Sequence, residues 1–193
     1  GQAYGVSTTS GNSSIGTRTK FLIGGGTFVG WIKRIQILPL ALNTQQTLNL
    51  AAGPAPVACW GDSLTEGTGG SASGRYPESL RAARFPGSAV YNGGVGGETS
   101  IQIRTRALAD PYRKDWTTVI WAGRNNYTAY ETVLSDIAAM VANLGHRRFV
   151  VLSVLNMSNG SEGTGTAGLT AILRLNDTLA QMYPNNYLDI RSL

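Results

Sequence analysis

Ser63 stands in Gly61-Asp62-Ser63-Leu64, after the apolar stretch "PVACW" and before the glycine-rich "TEGTGGSASG". A serine on a sharp turn at a strand end can present its hydroxyl to a crevice and act as a nucleophile. A solvated turn answers to the same description. Two other segments narrow the choice. "NGGVGGETS", residues 92–100, offers several backbone N–H groups with almost no side chain in front of them. "AGRNN", residues 122–126, offers side-chain amides. A hydroxyl, a bare N–H and a carboxamide are the parts of an acyl-transfer site, a nucleophile with an oxyanion hole. Alone, each is more often a turn or loop. "GTGGSA", residues 67–72, fits a dinucleotide fingerprint loosely, but it starts too far beyond the strand end. No Gly-Lys-Ser/Thr phosphate loop occurs.

These segments need a scaffold that brings them together, and from residue 56 strand and helix patterns alternate. "PVACWGDS", "SAVYNGGV", "WTTVIWAGRNN" and "RRFVVLSVL" read as buried strands, and "NYLDIRSL" opens a fifth. Between them "RYPESLRAARF", "SIQIRTRALAD", "TAYETVLSDIAAMVANLG" and "GLTAILRLNDTLAQMYP" read as helices. The third carries Val133 or Leu134, Ile137, Met140 or Val141 and Leu144 on one side, with Gly145 as its C-cap. The last carries Leu169, Ile172, Leu175, Leu179 and Met182. Repeated β-α units with strands apolar on both faces predict a parallel sheet between helices. Sites in such sheets form at the carboxyl ends of the strands. All three candidate segments fall there.

With the blocks in that order, the sequence resembles the SGNH (GDSL) hydrolases from about residue 56 onward. The resemblance implies an α/β, flavodoxin-like three-layer sandwich with a five-stranded parallel sheet. It implies Ser63 as nucleophile, with Gly97 N–H and the Asn125 amide as oxyanion donors. Asp62 and Asn126 are expected near substrate. Asn126 departs from the family pattern, which has an acid there, and the expected effect is on loop support more than on chemistry. No metal or other cofactor is expected.

The family's general base comes from Asp-x-x-His after the fifth strand, and no such motif occurs here. The one histidine, His146, precedes the fourth strand, ~20 Å from the carboxyl edge at about 3.3 Å per residue. That is too far to reach Ser63. The expectation is that the polypeptide continues beyond Leu193, or that a second chain supplies the motif. A covering helix would be lacking with it, leaving apolar surface open. The 193 residues alone are expected to be a poor catalyst.

Residues 1–52 have a different grammar. "GQAYGVSTTSGNSSIGTRTK" reads as turns and short strands, and "FLIGGGTFVGWIKRIQILPLAL" as two strands around a glycine turn. "FVGWIKRIQILPLALNTQQTLNL" resembles the closing segment of a concanavalin-like (laminin-G-like) jelly roll. That would make residues 1–52 the tail of a sugar-binding module; a β-extension packed on residues 53–193 reads equally well. The net charge of +5 includes four bases and no acid in the first 50 residues, without a basic aromatic stripe, so nucleic acid is not an expected partner. No apolar run approaches a membrane span of about 20 residues. Cys59, the single cysteine, reads as a buried core residue. The polar stretches 65–74 and 156–168 suggest an open, hydrophilic entrance. The leading expectation is a serine esterase for short acyl groups, such as O-acetyl, on carbohydrate, in a secreted or virion-associated protein. A lipase or thioesterase, and a non-catalytic carbohydrate-binding or virion structural protein, are the alternatives.

Overall fold

The computed structural model describes residues 55–71, 74–83, 88–157 and 160–192. All belong to the second of two units, Leu42–Leu193. The expectations for residues 1–52, including the jelly-roll resemblance and the boundary at residue 53, lie outside the described residues.

Five strands form one parallel sheet in the order β2-β1-β3-β4-β5. They are β1 (Val57–Gly61), β2 (Val90–Gly94), β3 (Thr117–Trp121), β4 (Phe149–Leu152) and β5 (Tyr187–Leu188). The helices are α1 (Ser63–Glu66), α2 (Tyr76–Ala83), α3 (Ser100–Ala109), α4 (Tyr130–Leu144) and α5 (Ala167–Met182). No described helix is long and apolar enough to cross a membrane.

Alternation along the strands feeds two cores. On one face Ala58, Trp60, Ile120 and Val151 meet Ile103 of α3, Ile137 of α4 and Ile172, Leu175 and Leu179 of α5. On the other face Val57, Cys59, Val90, Val119 and Leu152 meet Tyr76 and Leu80 of α2 and Ile190. The faces are covered unequally. A trough of about 490 Å³ remains beside α2, lined by Leu80, Val119, Trp121, Val150, Leu152 and Leu188 among others. Parallel sheets are ordinarily buried on both faces, so this is the part of the sheet least covered by described residues.

Gly145 caps α4 in the left-handed conformation, as its position predicts. Two features differ from the sequence pattern. Met182 is 42% exposed, whereas Asn176 on the same helix is buried. Asn176 accepts from Val154 N–H at 2.8 Å and donates to Val154 C=O at 2.9 Å. It pairs a buried backbone that β4, ending at Leu152, no longer serves. The fifth strand is only Tyr187–Leu188, followed by a 3-10 turn over Ile190–Ser192.

Cys59 is fully buried. Burial pushes its thiol up to about 11, so little thiolate forms at neutral pH. Native protein should not react with a disulfide reagent at pH 8, and urea-unfolded protein should react with one equivalent per chain.

Candidate active site

The strand predicted through Ser63 ends two residues earlier, at Gly61. Asp62 N-caps α1, accepting from Leu64 N–H at 3.0 Å, and Ser63 is the first residue of that one-turn helix. The signal was legible: Asp is a preferred N-cap. The turn is tight enough to dictate two glycines. A Cβ on Gly61 would lie 2.0 Å from Thr65 Oγ1, and one on Gly94 would lie 1.9 Å from Glu66 N. The ends of β1 and β2 therefore close directly onto the helix that starts at Ser63. Ser63 is half-buried, and no described residue hydrogen-bonds its hydroxyl.

The other two segments meet at the same edge. Asn125 is exposed and donates from Nδ2 to the Glu98 C=O at 2.8 Å. This ties the loop after β3 to the loop after β2. Gly97, adjacent to Glu98, has φ +78° and open space where a Cβ would be, and its N–H has no partner among the described residues. Nδ2 carries two hydrogens, so the bond to Glu98 orients the amide and leaves one hydrogen unused. Among the described residues, Gly97 N–H and one Asn125 Nδ2 hydrogen are without a partner at this edge.

Asp62 and Asn126 are placed behind the surface. Asp62 is 1% exposed, and its Oδ2 has no hydrogen-bond partner among the described residues. Asn126 accepts from Ser100 N–H at 3.1 Å and donates to Ser100 Oγ at 2.9 Å. Ser100 Oγ in turn donates to Asp136 at 2.6 Å, and Arg104 pairs with the same carboxylate at 2.6 Å. Asn126 thus braces its loop against the start of α3, and the acid in this network comes from α4.

Sequence reading missed the arginines at this edge. Arg106 of α3 reaches Glu98 and the carbonyl of Gly93. Arg124 pairs through both arms with buried Glu162, at 3.0 Å for each. Glu162 also accepts from Met157 N–H at 2.8 Å, which pins the entrance loop after β4. His146 is where its position in the chain predicts, with its ring nitrogens engaged by Lys114 C=O and Arg148 N–H beside the amino ends of β3 and β4. It is not at the site.

Burial raises the Asp62 carboxyl above its ordinary value, against the opposing effects of Leu64 N–H and Arg124. A raised folded-state pKa means the proton is held more tightly in the folded chain. The associated stability is full below the unfolded value of about 3.9 and is lost as pH rises through the folded value. Asp62→Asn keeps the capping oxygen and removes the buried charge. Its Tm should exceed that of the parent at pH 7, with the difference vanishing below about pH 4, as measured by calorimetry across pH.

No protein-family model matches the sequence. A putative lipolytic protein of the G-D-S-L family from Desulfitobacterium hafniense superposes with a TM-score of 0.56 at 23% identity, covering 70% of this chain and 77% of that one. The SGNH-hydrolase family esterase AlinE4 superposes with a TM-score of 0.55 at 18% identity, covering 70% and 76%. The fold is that of the SGNH hydrolases. A lipase/acylhydrolase from Enterococcus faecalis shares this SGNH fold, with a TM-score of 0.54 at 14% identity over 71% and 76% of the chains. Over 72 residues the chain is also 38% identical to the tail spike protein of Salmonella phage epsilon15. That stretch is 37% of this chain and 6% of the tail spike.

Proposed function

We propose that this chain is the core of a serine esterase that removes short acyl groups, O-acetyl above all, from carbohydrate. Ser63 attacks the ester carbonyl, and Gly97 N–H and Asn125 Nδ2–H receive the oxyanion. The observation that carries the reading is the 2.8 Å bond from Asn125 to Glu98, the neighbour of Gly97, which ties the loop after β3 to the loop after β2. Ser63 needs a proton acceptor to attack, and the sequence holds no Asp-x-x-His to supply one. The one imidazole in the sequence is held beside the amino ends of β3 and β4. The polar edge, with Thr68, Asn125, Thr128 and Asn156, suits a sugar carrier better than a long acyl chain. Likeness to a phage tail spike supports a virion-associated, extracellular setting.

The test is hydrolysis of p-nitrophenyl esters from two to twelve carbons by the wild-type chain and by Ser63→Ala, with imidazole added as an external base. Imidazole should accelerate the wild type above the Ser63→Ala background, most for acetate. Equal rates in the two proteins would sink the reading. A preference for the longest esters would move it to a lipase. Sugar binding that survives Ser63→Ala, without turnover, would favour the binding-protein alternative.

A further inference from the structure

Arg106, in the last turn of α3, joins three backbone segments that the reaction proposed above requires to stay in register. Its Nε donates to both Glu98 carboxylate oxygens, at 2.9 and 3.0 Å, and its Nη2 to Glu98 Oε2 at 2.5 Å. Nη2 also donates to Gly93 C=O at 2.9 Å and, more weakly, to Gly61 C=O at 3.4 Å. Its guanidinium lies over the Trp60 ring, 5.5 Å from the centroid. Gly93 is in β2, and Gly61 immediately precedes the turn that carries Ser63. Glu98 follows Gly97 and offers its own C=O to Asn125.

One planar cation therefore sets the position of Glu98 relative to the ends of β1 and β2. A planar fork that binds a carboxylate and a carbonyl together has a geometry that lysine cannot reproduce. Side-chain exposure is 29% for Arg106 and 12% for Glu98, so the pair is partly shielded from solvent. Nothing places Arg106 at the reacting atoms. Its Nε and Nη2 hydrogens are committed to Glu98 and to the carbonyls of Gly93 and Gly61. We infer that Arg106 is a positioning residue for the oxyanion hole: through Glu98 it fixes both the Gly97 N–H and the Asn125 amide. This inference rests on the esterase reading for its catalytic consequence, but not for its geometric one.

Two readouts keep the two apart. In ¹⁵N–¹H spectra of the full chain, the two Asn125 Nδ2 hydrogens should be well separated in the wild type, because one is bonded to Glu98. Arg106→Ala should bring them together and shift Gly97 N–H, while amides of α4 and α5 stay in place. In p-nitrophenyl acetate hydrolysis with imidazole, Arg106→Ala should lower kcat by about 100-fold, the loss expected for a displaced oxyanion donor. KM should move less than about threefold, since the arginine makes no substrate contact. Arg106→Lys, which keeps the charge near Glu98 and loses the fork, should recover about a tenth of wild-type kcat, and it carries the test if the alanine variant does not fold. Unchanged Asn125 and Gly97 signals in Arg106→Ala would overturn the inference. So would an unchanged kcat beside an inactive Ser63→Ala. Equal rates in wild type and Ser63→Ala would instead remove the esterase reading and leave the spectra to decide the positioning.

Discussion

Asn125→Ala should lower kcat on p-nitrophenyl acetate, with imidazole present, by about 10²–10³-fold, the cost of removing one oxyanion-hole donor. The side chain is exposed, and its one described bond is to the Glu98 carbonyl. Truncation should therefore cost at most about 1 kcal/mol of stability. The combination of a large kinetic loss and a small change in Tm separates a catalytic amide from a structural one. Asn125→Asp should be no better, because a carboxylate has no hydrogen to give and faces the Glu98 carbonyl with like partial charge. Steady-state kinetics and calorimetry on the same preparations check both statements. A kcat within threefold of wild type for Asn125→Ala would remove Asn125 from the oxyanion hole.

The largest stability loss is expected at a residue that does no chemistry. Asp136 is 1% exposed and accepts from Ser100 Oγ and from Arg104. Asp136→Ala would leave the buried Ser100 hydroxyl without its acceptor and Arg104 without its counter-ion. Removing one member of a buried charged pair typically costs 3–5 kcal/mol. Arg104 has a side chain 36% exposed and can rehydrate, so the lower end applies. We expect a loss of about 3 kcal/mol and a fall in Tm of about 6–12 °C for a domain of this size. Asn126 keeps its own bonds to Ser100, but Ser100 loses its tie to α4 in the same variant, so acetate turnover should fall as well. Asp136→Asn, which keeps an acceptor for Ser100, should lose about half as much stability.

Much of this could be read from the residue pattern. Strand and helix order, the parallel sheet, the Gly145 cap and the placement of His146 followed from periodicity and from chain position alone. The three blocks were visible because each lies just beyond an apolar strand. What stayed hidden depends on contacts between distant residues. Asn176 reads as a break in an apolar helix face until Val154 is seen to need a partner. Asn126 lacks the acid that its pattern suggests. The carboxylate that serves the same corner is Asp136, supplied by the next helix, and no local spacing signals it. Arg106 and Glu98 are eight residues apart and read as ordinary surface charge. Their consequence appears only when the Glu98 carbonyl is seen to hold Asn125.

The central claim is that Ser63 is a nucleophile, and the most direct test is covalent capture. The chain is incubated with a fluorophosphonate in the presence of imidazole, digested, and mapped by mass spectrometry. The account predicts one adduct, on Ser63, in the peptide containing Asp62-Ser63-Leu64, and none in Ser63→Ala. A folded chain that takes up no label, or takes it up at another residue, would contradict it.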